Sequence, residues 1–126
     1  MLKISDLAFS YSGNGCKVFN DFSLSFEKGA VYGLLGLNGT GKSTLLYLLT
    51  GLLRPQQGSV LYKGEDVQKR LPSTLSDMFI VPEEFNLPKV SLKQFVSLNR
   101  PFYPRFSDEI LRSCLHDFDM NEDIHL

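Results

Sequence analysis

The chain has 126 residues, of which 43% are hydrophobic and 21% are charged. This composition is ordinary for a globular domain, and the length is sufficient to bury a core. The formal net charge of −1 gives no global preference for nucleic acid or an anionic membrane. No apolar run approaches the ~20 residues that span a bilayer. Cys16 and Cys114 lack the paired spacing of a metal or redox site, so we expect two reduced thiols.

Hydrophobic periodicity predicts a β-rich first part and a helical last part. The predicted strands are 2–9, 22–26, 30–35, 59–63 and 78–81, and the predicted helices are 42–50, 91–99 and one beginning at residue 107. The continuous apolar runs at 30–35 and 78–81 are typical of strands covered on both faces in a parallel sheet. Pro72 excludes one unbroken helix over 68–77 and leaves that stretch unassigned.

The helix boundaries have recognisable signals. Ser91 is followed three positions later by Gln94, the pattern of a capping box. Ser107 precedes two acidic residues, which a helix dipole favours in the first turn. Leucines surround most of helix 42–50, so this helix is expected to be buried. The predicted apolar face of the last helix comprises Ile110, Leu111, Cys114, Leu115 and Phe118.

A glycine-rich loop between the run at 30–35 and helix 42–50 fits the pattern G-x-x-x-x-G-K-[ST]. Its residues are Gly36, Leu37, Asn38, Gly39, Thr40, Gly41, Lys42 and Ser43. Glycines let successive N–H groups face inward around an anion, and the helix start adds free N–H groups. Lys42 would reach the terminal phosphates, Ser43 would ligate Mg²⁺, and Thr44 would reach the α-phosphate. The alternative is a chance glycine-rich turn. The loop predicts a nucleoside triphosphate with its metal.

Four stretches resemble the N-terminal half of an ABC-type (ATP-binding cassette) ATPase, over essentially all 126 residues. They are FSYSGNGCKVFNDFSLSFEKGAVYGLLGLNGTGKST, LLYLLTGLLRPQQGSVLYKGEDV, MFIVPEEFNLP and KVSLKQFVSLNRPFYPRF. The base-reading motif N-K-x-D of GTPases is absent from the sequence. The resemblance implies an α/β P-loop NTPase fold. Residues 1–90 would form the β subdomain and phosphate-loop core, and residues 91–126 would begin a helical subdomain.

The resemblance also implies roles for two residues outside the loop. Tyr11 lies about where the family keeps an aromatic residue that stacks on adenine; the alternative is a tyrosine packed at a strand end. Glu83 follows Val81-Pro82 where the family usually has a glutamine that helps to hold Mg²⁺ and the attacking water. Glu83, with Lys42, is therefore a catalytic candidate and, with Ser43, a metal ligand; the alternative is a surface role. FIVPEE is a poor match to the second nucleotide-binding motif, which needs an Asp at the end of a strand to hold Mg²⁺. Pro82 interrupts the predicted strand, and no Asp is present.

The remaining parts of the family's machinery are not in this sequence. There is no LSGGQ-like signature and no apolar run ending in Asp-Glu, and neither His116 nor His125 has the context of the family's switch histidine. The chain is expected to stop just before the signature. Alone, it would bind nucleotide weakly and hydrolyse little.

The resemblance further implies partners and a location for the complete protein. A transmembrane permease subunit and a second cassette, arranged head to tail, are expected, with the protein cytoplasmic at the inner face of the membrane and not bound to nucleic acid. Phe102, Tyr103 and Phe106 would face the permease or pack locally. The predicted function is ATP binding for transport driven by ATP hydrolysis. The alternatives are a non-catalytic nucleotide-binding fragment and a soluble, non-transport ABC ATPase.

Overall fold

The computed structural model describes residues 1–12, 17–83, 86, 88–121 and 123–125. The chain forms two compact units, Met1–Ile80 and Val81–Leu126. The division into subdomains at residue 90 stays a prediction. Cys16 and Glu84 lie outside the described residues.

The first unit contains the sheet and the helix that follows the glycine-rich loop. Its elements are β1 (Leu2–Ser10), β2 (Lys17–Phe26), α1 (Lys42–Leu49), β3 (Gln57–Tyr62), β4 (Glu65–Asp66), a 3₁₀ turn (Val67–Lys69) and α2 (Pro72–Leu75). The second unit is helical, as predicted. It consists of α3 (Leu92–Asn99), a 3₁₀ turn (Arg100–Phe102) and α4 (Asp108–Asp117).

The described strands form one antiparallel sheet in the order β2-β1-β3-β4. A bulge in the central strand β1 decides which of its side chains enter the core. Asp6 has a left-handed backbone (φ 50°), and the strand register shifts around it. Side chains alternate between faces with a period of two, so the extra residue changes the parity of the buried set. Ile4 is buried before the bulge, and Leu7 and Phe9 are buried after it.

The core of the first unit lies between this sheet and α1. Its buried residues are Ile4, Leu7, Phe9, Leu45, Leu48, Val60 and Val67. Two of them, Leu45 and Leu48, come from α1 and lie 3% and 0% exposed. Apolar burial of this kind is worth about 1.5–3 kcal/mol for each large aliphatic side chain. The sheet therefore fixes α1 by its buried side.

The two predicted buried strands at 30–35 and 78–81 are wrong. Neither segment has strand structure. The apolar side chains of 30–35 are exposed, with Leu35 at 94%, and in 78–81 Phe79 is 72% exposed while Met78 and Ile80 are half-buried. An all-apolar strand is stable when neighbours pair with both its edges and cover both its faces. Within the described ranges, the sheet is made by β1 to β4 alone and gives these segments no neighbouring strand.

The helices agree with the sequence in their boundaries more than in their burial. Helix α1 begins and ends within one residue of the prediction, but Leu46 is 45% exposed, so this helix is buried on one side rather than all round. On α4, Leu115 is buried as predicted, whereas Ile110 is 66% exposed and Phe118, the C-cap residue after the helix, is 75% exposed. These two side chains have the correct helical period, but no neighbouring element in the described residues covers them.

Ser91 is the N-cap of α3, and residues near the end of the chain bond to the backbone beside it. The Ser91 hydroxyl accepts from the Gln94 N–H at 3.3 Å, and the Gln94 amide oxygen accepts from the Ser91 N–H at 3.1 Å. This confirms the predicted capping box. His125 forms a backbone bridge with Ser91, and the Leu92 N–H donates to the Ile124 carbonyl at 2.9 Å. The helix predicted to begin at residue 107 is also confirmed, and Ser107 is its N-cap, with the hydroxyl accepting from the Ile110 N–H at 3.3 Å.

Gly58 is predicted to be essential for the register of β1 and β3. Its φ is +80°, and an added Cβ would lie 2.4 Å from the carbonyl oxygens of Ser5 and Asp6 at the β1 bulge. Because backbone atoms cannot move aside as a side chain can, we expect Gly58→Ala to lower the free energy of unfolding by at least about 2 kcal/mol. Urea denaturation followed by circular dichroism measures this. Gly33→Ala is the matched control, since nothing lies within 4 Å of its added Cβ and its φ is not positive. Equal stability of both variants would contradict the prediction.

Candidate functional site: the loop before helix α1

The position of the glycine-rich loop is set by the helix that follows it. Leu45 and Leu48 anchor α1 in the core. At the other end of the helix, the Arg70 guanidinium donates to the Gly51 carbonyl at 3.0 Å, and the Thr50 hydroxyl donates to the Leu46 carbonyl at 3.0 Å. The Thr50 hydroxyl is a second donor to the Leu46 carbonyl, which also accepts from the Thr50 N–H at 3.1 Å, and the Arg70 bond holds Gly51, which follows the C-cap of the helix. The start of α1 is thus fixed from both its buried side and its far end.

The loop itself is a tight, exposed turn. Gly39 has φ +82°, and the Thr40 hydroxyl donates to the Leu37 carbonyl at 2.8 Å, closing the turn. A Cβ on Gly36 would lie 2.9 Å from the same Thr40 hydroxyl oxygen. The glycines are therefore needed here for backbone conformation and for space. Residues 36–40, including Asn38, are all exposed.

The last glycine of the motif is held against strand β2. Gly41 is the N-cap of α1 with φ +95°, and a Cβ on it would lie 2.6 Å from Val18 Cγ1 and 3.2 Å from Phe19 Cζ. A side chain at this position would meet both strain and overlap. The contact joins the loop to the sheet independently of α1. Sequence reasoning missed Val18 and Phe19, because nothing in their pattern signals contact with a distant glycine.

The Lys42 side chain folds back over the loop. Its ammonium donates to the carbonyls of Gly36 and Leu37, at 2.8 Å each. An ammonium has three donors, so it can hold both carbonyls and still offer a proton to another acceptor. The charge is consequently fixed at the mouth of the turn, where an anion bound to the loop would meet it.

The first turn of α1 adds donors to the same place. The first N–H groups of a helix have no intrahelical acceptor, and no acidic side chain occupies this turn. Ser43 is exposed, whereas Thr44 is only 7% exposed. Together with the loop, this end of the helix has the form of an anion-binding site.

Tyr11 lies beside this helix start. Its hydroxyl lies 2.9 Å from Thr44 Oγ1, and either oxygen could be the donor. The two residues are 33 positions apart, and the sequence did not predict this contact. All the predicted nucleotide-binding residues, Tyr11 and 36–44, therefore lie in the first unit and form one connected region.

The remaining predicted site residue, Glu83, lies in the second unit and is exposed in a bend. Among the described residues, there is no group of three or more His, Cys, Asp or Glu side chains that could hold a metal by themselves. A metal at the loop would depend on the Ser43 hydroxyl together with phosphate oxygens. The role of Glu83 stays a prediction. None of the helices in the described part of the chain has the length and apolar character needed to cross a membrane.

Comparison with known proteins identifies the family. The ABC transporter domain matches residues 19–124. The chain is 30% identical over 123 residues to the ABC transporter ATP-binding protein YtrB of Bacillus subtilis (strain 168), covering 97% of this chain and 41% of YtrB. It is 45% identical over 65 residues to the energy-coupling factor transporter ATP-binding protein EcfA1 of Mesomycoplasma hyopneumoniae (strain 7448), covering 51% of this chain and 24% of EcfA1. The chain thus spans less than half the length of these relatives.

Solved structures have the same fold. An ATP-binding subunit of an ABC transporter superposes with a TM-score of 0.79 at 25% identity, covering 94% of this chain and 50% of that one. A putative ABC transporter ATP-binding protein from Pyrococcus furiosus gives a TM-score of 0.79 at 26% identity, covering 99% and 60%. The predicted α/β P-loop NTPase fold of the ABC ATPase type is confirmed. The chain belongs to the ABC transporter family, and it resembles that family's ATP-binding subunits in both sequence and fold.

Proposed function

We propose that the loop at residues 36–43 binds the phosphates of Mg-ATP, and that this chain supplies the phosphate-binding half of a nucleotide site. The central support is the Lys42 ammonium, held by two loop carbonyls at the start of an anchored helix. The lysine cation, the free N–H groups of the first helical turn and the tight glycine turn lie next to one another there. This combination suits a polyphosphate better than a single small anion, because charge and donors extend from the loop into the helix.

Magnesium is proposed to enter with the nucleotide. The Ser43 hydroxyl is a hard oxygen ligand on the exposed side of the first helical turn, and Mg²⁺ is usually completed by phosphate oxygens and water. Glu83 is proposed as a further oxygen near the metal or the attacking water, in place of the family's usual glutamine. Lys42 would neutralise charge on the terminal phosphates, a contribution that matters in phosphoryl transfer.

For the complete protein we propose an ABC transporter ATPase that couples ATP hydrolysis to transport. A permease subunit and a second, head-to-tail cassette are the proposed partners, with the protein at the cytoplasmic face of the membrane through the permease. The similarity to YtrB and EcfA1, both named as transporter ATP-binding proteins, supports this function. Phe102 is 69% exposed, and Phe106 is 36% exposed, so these rings are accessible to a partner.

The second candidate function is nucleotide binding without hydrolysis by this chain. Glu83 in place of the family's usual glutamine favours binding without hydrolysis, because its carboxylate would repel the negatively charged γ-phosphate. Phosphate release by the chain alone distinguishes the two. Release that depends on Lys42 would show that the chain supplies its own base and would contradict the binding-only function.

Lys42→Ala is expected to weaken Mg-ATP binding by at least about tenfold, because it removes a charged hydrogen bond to phosphate. Isothermal titration calorimetry of the 126-residue chain measures this. Lys28→Ala is the matched control, since Lys28 is an exposed lysine of the same unit outside the loop. Equal affinity of the Lys42 variant and the unmodified chain would overturn the proposed function.

Ser43→Ala is expected to reduce the effect of Mg²⁺ on ATP binding while leaving metal-free ATP binding nearly unchanged. The variant loses an oxygen ligand but keeps the backbone N–H groups that bind phosphate. Titrations with Mg²⁺ and with a chelator give the two affinities. Ser97→Ala, an exposed serine on α3, serves as control. A proportional loss under both conditions would mean that Ser43 contacts phosphate rather than metal.

Glu83→Gln is expected to raise the half-saturating Mg²⁺ concentration for ATP binding by about 3- to 10-fold, because a charged oxygen ligand becomes neutral. The same substitution at Glu109, an exposed acid in the first turn of α4, is the control. A Glu83 variant with an unchanged Mg²⁺ dependence would assign this residue to the surface.

A further inference from the structure

We propose that Tyr11 is a positioning residue whose hydroxyl orients the Thr44 hydroxyl toward the α-phosphate of the bound nucleotide. This role is separate from any stacking of its ring on a base. The inference rests on the proposed function and deepens it, because it adds a phosphate-directed contribution to a residue otherwise expected to contact adenine. It follows from three features of the first unit: a fixed backbone, an oriented ring and a shared hydrogen bond.

The backbone that leads into Tyr11 is fixed by a glutamine that acts as a strand neighbour. The side-chain amide of Gln56 accepts from the Ser10 N–H at 2.9 Å and donates to the Ser10 carbonyl at 2.7 Å. The Gln56 N–H also donates to the Ala8 carbonyl at 2.9 Å. The edge of β1 therefore keeps its hydrogen bonding up to Tyr11, although β3 begins only at Gln57.

The ring of Tyr11 is oriented but not buried. It meets the ring of Phe9 edge to face, with centroids 5.0 Å apart and an interplanar angle of 86°. Phe9 is only 6% exposed and belongs to the core, whereas Tyr11 remains 47% exposed. A tyrosine that served only to pack the strand end would gain most from burial of its ring. Here nearly half of the residue stays accessible while its orientation is held.

The hydroxyl of Tyr11 contacts Thr44, a buried threonine in the first turn of α1. Thr44 is 7% exposed, and its Oγ1 lies 2.9 Å from the Tyr11 oxygen. A threonine hydroxyl has one donor and two acceptor positions. When Tyr11 donates, Thr44 accepts that bond and keeps its own proton for another acceptor. In the first turn of α1, next to Lys42 and Ser43, that acceptor would be a phosphate oxygen.

This arrangement separates the two chemical parts of tyrosine. The ring can be supplied equally well by phenylalanine, whereas the hydroxyl cannot. Removing the hydroxyl leaves Thr44 free to rotate and to donate to the carbonyl of the N-cap Gly41, three residues back, as helical threonines commonly do. Its contribution to the phosphate would then be lost even though the ring remains.

The test is Tyr11→Phe, assayed by calorimetry with Mg-ATP and with inorganic tripolyphosphate, which has no base to stack. We expect both ligands to bind about 3- to 10-fold more weakly, the effect of losing one oriented hydrogen bond. In a Thr44→Val background, Tyr11→Phe should cause no additional loss, because the residue through which it acts is already absent.

Tyr62→Phe is the matched control. The Tyr62 hydroxyl donates to Asp77 at 3.1 Å in the same unit, outside the loop. Its loss should lower the melting temperature without changing affinity for either ligand. A Tyr11→Phe chain that binds tripolyphosphate as tightly as the unmodified chain would overturn the inference. So would losses that add fully in the Thr44→Val background.

Lys42→Ala, measured alongside, distinguishes the two levels of the proposal. If Lys42→Ala loses binding while Tyr11→Phe retains it, only the role of the tyrosine hydroxyl is overturned. If Lys42→Ala binds as tightly as the unmodified chain, or if the unmodified chain binds neither ligand, the proposed phosphate site fails and the inference fails with it.

Discussion

The candidate site depends on one constraint, the burial of Leu45 and Leu48 of α1 against the sheet. A helix of eight residues is short for independent stability in water, so its order comes from tertiary contact. Those two leucines pack against a sheet whose central strand contains a bulge, and the bulge brings Ile4 and Leu7 to the same face. Without that change of parity, one of the two would face solvent and α1 would lose part of its support. The geometry of the loop is therefore coupled to a backbone irregularity in β1, far from it in sequence.

The site is built largely from main-chain groups, with side chains that hold them in place. The carbonyls of Gly36 and Leu37 accept hydrogen bonds from the Lys42 ammonium, and these bonds hold both the lysine side chain and the loop backbone in place. Gly41 lies against β2 at a distance that no Cβ would permit. Such preorganisation would reduce the ordering required if an anion bound to this small, exposed loop. It also explains why a substitution at one glycine would disturb packing and binding together.

Several apolar surfaces in the described part of the chain remain uncovered. The run at 30–35 and the segment at 78–81 have the composition of buried strands, yet neither forms a strand there, and most of their apolar side chains are exposed. Ile110 on α4 and Phe118 at its C-cap have helical spacing, yet both side chains are exposed. The physical reason is the same for all of them. An apolar composition makes burial favourable, but a segment is buried only where other elements are present to cover it. The chain spans 41% of YtrB, so most of the length of that relative has no counterpart in this chain.

The sequence by itself determined the glycine-rich loop, the limits of α1 and α3, the start of α4, the capping box at Ser91 and the family, because these depend on residues close together in the chain. Capping, glycine conformation and the G-x-x-x-x-G-K-[ST] spacing are local properties. Tertiary structure alone decided the bulge at Asp6, the contact of Gly41 with β2 and the bond between Tyr11 and Thr44. Each of these joins segments that meet only after the sheet forms, and periodicity has no information about such meetings. The two wrongly predicted strands have the same explanation, since strand pairing is a property of neighbours rather than of the segment itself.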